Sequence, residues 1–331
     1  MKLIAAMCLL AFALCSAQGQ VEDDLTAKTR LFPGIGAGLR AVKRGADGKV
    51  YILASPALGV AVFDTTGKQV LSIGAAAGGM SAGKPEKSPI VFGEDFDIDA
   101  QGDIYVADRG ANLVLIFSPT GALLKSFPVN SPLSIAALPD GEIAVATLRQ
   151  AHLVVVFDKN GRELREFGDP EPLADRPDLN RYLSLGQLET DAQGTLYYGF
   201  GFMPEPTVRL YDRHGYAGQD IVYSGLDAMP EAQAARKEIA RLERKGGTPF
   251  FKRILTAVGV DPGSGEVWMA LGNTLLHFDK EGNRRATYKL YTPEGARLEA
   301  NTIVVGEDWL LVGSDPLGVY RFERTDTKAK K

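Results

Sequence analysis

Apolar positions along this chain come in short runs of four to six, rich in Val, Ile and aromatic residues and cut by turns containing Gly, Asp or Asn. Residues 96–127, FDIDAQGDIYVADRGANLVLIFSPTGALLKSF, show the pattern most clearly. They predict four strands, FDID, DIYVAD, LVLIFS and ALLKSF, joined through Ala100-Gln101-Gly102, a loop from Arg109 to Asn112, and Pro119-Thr120-Gly121. Strand propensity bounded by such turn residues is a hairpin signal. Alternation within DIYVAD and LVLIFS puts successive side chains on opposite faces. Continuous runs such as LVVVF predict sheets buried on both sides.

The unit recurs at residues 39–74, 133–168, 188–215, 255–290 and 301–324. An aromatic closes the third strand of each copy: Phe63, Phe117, Phe157, Tyr211, Phe278 and Phe322, at intervals of 54, 40, 54, 67 and 44 residues. Periods of this length with four strands each belong to β-propellers rather than helical solenoids. The expected fold is therefore all-β, a six-bladed propeller of four-stranded blades with one helical insertion near residues 228–246. Tyr51, Tyr105, Tyr197 and Trp268 recur beside the second strand, where they are expected to pack between neighbouring blades. After Glu323 only RTDTKAKK remains, a poor strand. The missing outer strand is expected from the N-terminal lead, around residues 25–37, closing the ring and hiding its edges.

The stretch DAQGDIYVADRGANLVLIFSPTG resembles the NHL-type repeat. The resemblance covers nearly all of the chain, well in the second copy and loosely in the fourth and sixth. It implies a six-bladed propeller and carries no catalytic signature.

The N-terminus reads as an export signal, residues 1–17: Lys2, an apolar run from Leu3 to Leu14, then Cys15-Ser16-Ala17. That run is short against the ~20 residues of a membrane span. Cleavage would remove Lys2 and both cysteines, leaving 36 basic (37 − 1) and 41 acidic residues, net −5. A mature chain without thiols excludes disulfides, thiolate nucleophiles and Cys-based metal sites. A bacterial periplasmic or extracellular location follows as the expectation. Residues 18–324 are expected to form a single domain and 325–331 a disordered basic tail. The mild acidity gives no electrostatic basis for binding nucleic acid.

Tight Asp-Gly and Asn-Gly turns fall on one face of such a ring, and variable loops and long crossovers, residues 74–93, 168–185 and 215–254, on the other. Binding sites favour variable loops over a rigid scaffold, so the site is expected on the loop-rich face or at the mouth of the central channel. Candidate ligand-binding residues there are Asp108, Arg109, Arg149, Tyr198 and Phe200, a set suited to a peptide, protein or acidic small molecule. Asp108 also fits an Asx-type loop contact. Gluconolactonase-like propellers hold Ca²⁺ on inner-strand carboxylates, and that resemblance makes Glu94 and Asp95 candidate metal ligands, without identifiable partners in other blades. His152, His214 and His277 sit at unlike repeat positions, so no convergent zinc site is expected. No nucleophile elbow or phosphate-cradling loop occurs, and the glycine-rich residues 73–85 read as a flexible loop. Pro230, Glu231 and Gly246-Gly247 delimit the helix, whose apolar stripe Ala232, Ala235, Ile239 and Leu242 is expected to pack on the propeller. Two functions compete: a binding or interaction module, or a metal-dependent hydrolase or lyase of the gluconolactonase-like or amidating-lyase-like kind.

Overall fold

A computed structural model describes residues 22–55, 59–74, 80–81, 84–85, 89–148, 151–224 and 229–324. Six antiparallel sheets follow one another along the chain, each running from an inner to an outer strand. The inner strands are Leu39–Arg44, Gly93–Ile98, Pro132–Ala137, Gly186–Thr190, Ala257–Val260 and Thr302–Val305. Each touches the next, and the sixth touches the first, so they enclose a central channel. This is the six-bladed propeller that the repeat period predicts.

One turn chemistry explains why the third and fourth strands pair as they do. In the blade-three turn Asp158-Lys159-Asn160-Gly161-Arg162, the Asp158 carboxylate accepts the Asn160 and Arg162 amides, and the Gly161 amide donates to the Asp158 carbonyl. Gly161 has φ 79°, and a Cβ there would lie 2.5 Å from Phe127 of the preceding blade. Only glycine meets both demands. The register slips by one residue at the closing aromatic Phe157, a bulge that bends the outer strand.

Those aromatics join the blades. Phe157 packs on Phe127 of the preceding outer strand at 5.2 Å between ring centroids, and Tyr211 on Phe167 at 4.9 Å. The same contact closes the ring: Phe32, from the N-terminal lead, meets Phe63 of blade one at 4.3 Å. Thr29–Leu31 pairs antiparallel with Gly318–Glu323 as the outer strand of blade six, as expected. The lead does one thing more than predicted. Glu22–Thr26 adds a fifth strand to blade five, parallel to Arg284–Tyr291. The chain start thus ties blade five to blade six and, through Phe32, blade six to blade one. Arg324, expected to border the tail, is buried instead and ion-pairs with Asp261 and Glu266 of blade five.

Helix α1 (Pro177–Leu183) lies in the crossover between blades three and four, where the sequence suggested only a loop. Its seven residues give too short a periodicity to stand out, though Pro177 and Asp178 in the first turn and buried Leu179 and Leu183 mark it. Helix α2 (Pro230–Lys245) is the expected insertion. Its buried residues are Ala232, Ala235, Ile239 and Leu242, which pack with Leu179, Leu183, Phe251 and Leu255. The helix caps the propeller's own face. Within residues 73–85, Met80–Ser81 pairs with Lys84–Pro85 where an irregular loop was expected. The export-signal residues 1–17, the tail 325–331 and Arg149 lie outside the described residues.

Candidate functional site

The channel mouth on the loop-rich face is built by the first residues of the inner strands. In blades one, two and three the register against the second strand shifts there: Leu39 faces Ala54 and Ala41 faces Leu53, Gly93 faces Asp108 and Asp95 faces Ala107, Pro132 faces Thr147 and Ser134 faces Ala146. The extra residues are Arg40, Glu94 and Leu133. A bulge re-aims the side chain it carries, and all three line a cavity of about 130 Å³. Gln187, Asn301, Asp315 and Arg253, the last from the chain that follows α2, complete its rim.

Among the described residues neither Arg40 nor Arg253 has a hydrogen-bonded or ion-paired carboxylate. Arg40 stands 4.8 Å above the Phe92 ring and Arg253 5.8 Å above that of Phe202. The Arg40 Nε is buried without a hydrogen-bond partner. Two guanidinium groups beside aromatic faces offer this polar cavity anion-binding donors, next to the carboxylates of Glu94, Asp95 and Asp315 in the same lining.

Deeper in the channel, Lys43 of blade one and Glu189 of blade four sit on opposite sides of the six-membered ring. The Lys43 Nζ lies 2.8 Å from both Glu189 oxygens. Lys43 and Glu189 also line the cavity at the opposite, tight-turn end, with Val260, Pro262 and Val304. They are the residues the two openings share, so the ion pair bars the passage between them. Asp95 and Asp97 lie near it, giving three carboxylates to one ammonium. Burial pushes the Glu189 carboxyl up to about 7 although Lys43 pulls it down, and the two aspartates add to the rise. Burial likewise raises Asp97. Burial works against the Lys43 charge, yet the three carboxylates outweigh it and hold the amine well above its ordinary value.

The acidic row of blade two has a second task. Alternation places Asp95, Asp97 and Asp99 on one side, and that side faces blade three. Asp95 accepts from the Ser134 hydroxyl and the Ile135 amide, Asp97 from the Ala137 amide, and Asp99 from the Lys159 ammonium at 2.8 Å. Three carboxylates at alternate positions therefore stitch two blades together. Asp99 also accepts from the Tyr105 hydroxyl at 2.8 Å, and Lys159 lies 5.8 Å from the Tyr105 ring. The blade-boundary role expected for that tyrosine holds.

The sequence candidates fall into distinct places. Asp108 is fully buried, its carboxylate accepting the Val91, Phe92 and Ala111 amides. Arg109 lies at the rim, 3.7 Å from Glu94 and 5.4 Å from the Phe92 ring centroid. Tyr198 and Phe200 are buried and meet edge-to-face at 4.9 Å, with the Tyr198 hydroxyl donating to the Ser184 carbonyl. Glu94 and Asp95 reach the mouth. Among the described residues no group of three or more His, Cys, Asp and Glu is arranged to hold a metal ion. His152 lies 3.1 Å from Asp169, His214 beside Arg213, and His277 stacked 4.0 Å from Trp268: three separate environments. Sequence reading missed Arg40, Lys43, Glu189 and Arg253. Lys43 and Glu189 could have been found as charges in first strands, LRAVKR and GQLET, at the position where AVGV and TIVV carry Gly259 and Val304.

Neither protein-family models nor curated proteins match this chain. Solved structures do. A streptogramin B lyase superposes with TM-score 0.52 at 13% identity, over 88% of this chain and 84% of that one. The virginiamycin B lyase of Staphylococcus aureus gives 0.52 at 12%, over 90% and 87%. Kuenenia stuttgartiensis hydrazine synthase gives 0.55 at 13%, over 93% and 99%. At these identities the likeness is one of fold.

Proposed function

We propose that this chain is an exported, NHL-like propeller that binds a compact, carboxylate-bearing ligand at the channel mouth of its loop-rich face. One observation carries the reading: Arg40 and Arg253 converge on a polar cavity, and among the described residues neither has a hydrogen-bonded or ion-paired carboxylate, Glu94 and Asp95 acting on Arg253 only at longer range. A cavity of about 130 Å³ is below the roughly 300–1,000 Å³ of drug-sized sites. The ligand is therefore small, or the terminus of something larger. Bidentate guanidinium recognition supplies orientation as well as affinity. The export reading rests on the Lys2 and Leu3–Leu14 pattern, and no helix among the described residues is long and apolar enough to cross a membrane.

Calorimetric titration of the purified chain with small carboxylates tests the reading. Saturable binding that the Arg40→Met/Arg253→Met variant weakens at least 10-fold, as loss of two charge-assisted contacts requires, supports it. Affinity unchanged in that variant rejects it. A lyase reading draws on the near-neutral carboxyl of Glu189, since general acid–base groups are tuned to that range. It predicts turnover that Glu189→Gln abolishes. In the binding reading, Glu189 instead closes the channel beneath the ligand.

A further inference from the structure

Resting on that binding site, we infer that its ligand is a compact zwitterion, such as an α-amino acid with a short side chain, whose carboxylate meets Arg40 and Arg253 and whose ammonium meets Glu94. The mouth carries both signs of charge in fixed places. Arg40 and Glu94 are both bulge residues, at matching positions of adjacent blades, so the same backbone irregularity turns one cation and one anion into one cavity. Both hold buried atoms with unfilled hydrogen-bonding capacity: the Arg40 Nε and the Glu94 Oε2 have no hydrogen-bond partner. Arg109, the cation beside Glu94, stays at 3.7 Å, beyond a charge-assisted hydrogen bond, and its side chain is 46% exposed.

The other carboxylates at the mouth are already engaged. Asp95 accepts from Ser134 and Ile135 of the next blade, and Asp315 accepts the Gly38 amide. Among the described residues Glu94 is thus the mouth carboxylate with an oxygen that no donor hydrogen-bonds, Arg253 and Arg109 acting on it only at longer range. A plain carboxylate would satisfy the arginines and leave Glu94 Oε2 desolvated and unmatched, a penalty that a ligand ammonium removes. Small size follows from the cavity volume and from the Lys43–Glu189 pair that floors it.

Calorimetry on the full chain with L-alanine, propionate and ethylamine tests this at one pH and ionic strength. Alanine is expected to bind at least 10-fold more tightly than propionate, and ethylamine more weakly than either. Glu94→Gln should reduce alanine to the affinity of propionate while the melting temperature confirms folding. If propionate binds through Arg40 and Arg253 but alanine gains nothing, the zwitterion is refuted and the carboxylate reading stands. If neither carboxylate binds, both fall.

Discussion

At the scale of single residues, Glu189, part-buried at the channel waist, and Asp108, fully buried, show how differently two carboxylates behave. Asp108 receives three backbone amides and holds the loop that leads into blade two. Asp108→Ala should lower stability by about 2 kcal/mol, because buried donors lose their acceptor. Asp108→Asn, which keeps one acceptor oxygen, should lose about half as much in urea unfolding. Equal midpoints for wild type and Asp108→Ala would remove this account of the loop. Glu189 faces Lys43 but shares it with two aspartates, and its folded-state value is raised from 4.5 to about 7. A carboxyl raised by folding binds more protons folded than unfolded. Its contribution to stability is therefore greatest below about pH 4.5 and declines as pH rises toward 7. Unfolding midpoints measured between those limits should fall less steeply with pH in Glu189→Gln than in wild type. Parallel curves would contradict the crowded waist. Asp108 was legible as a residue unlike its counterparts in other repeats, and its Asx-type alternative is what the loop contacts display. Arg253 was not legible, since it follows α2 and reaches the channel only through three-dimensional closure.

Among the elements, the inner strands, the N-terminal strands and α2 decide where chemistry can occur. Strand number, turn glycines and closing aromatics were readable because the first five repeats state them locally: an Asp or Ser, a Gly at positive φ, an aromatic at the slip in register. The α2 stripe was readable for the same reason. The three bulges were not, because a one-residue slip at the start of a strand leaves no mark in composition, yet it is the slip that turns Arg40 and Glu94 into the mouth. Nor does local pattern say that Glu22–Thr26 joins blade five while Thr29–Leu31 completes blade six. Phe32 supplies at the last junction the ring contact that Phe127 and Phe167 supply elsewhere. Phe32→Ala should therefore cost about 3 kcal/mol, the usual loss for emptying a buried aromatic site. Thermal unfolding would report it, and a variant melting with wild type would show that the ring closes without this latch.

Over the whole molecule, closure makes the site. Six sheets in a circle leave one channel, the Lys43–Glu189 pair across its diameter divides it, and the loop-rich opening above that pair gathers the arginines. Two other cavities compete. One of about 340 Å³ runs beside α2 between Leu173, Met203 and Ile239. The other, about 400 Å³, lies between the start of α2 and blade five. Both are larger than the mouth, so volume alone would favour them, whereas charge and unfilled hydrogen-bonding capacity favour the mouth. A crystal structure of the chain soaked with a mixed panel of small carboxylates and amino acids distinguishes these directly. The account predicts ligand density at the channel mouth with its carboxylate between Arg40 and Arg253. Density confined to the α2 groove or to the cavity beside blade five would contradict it.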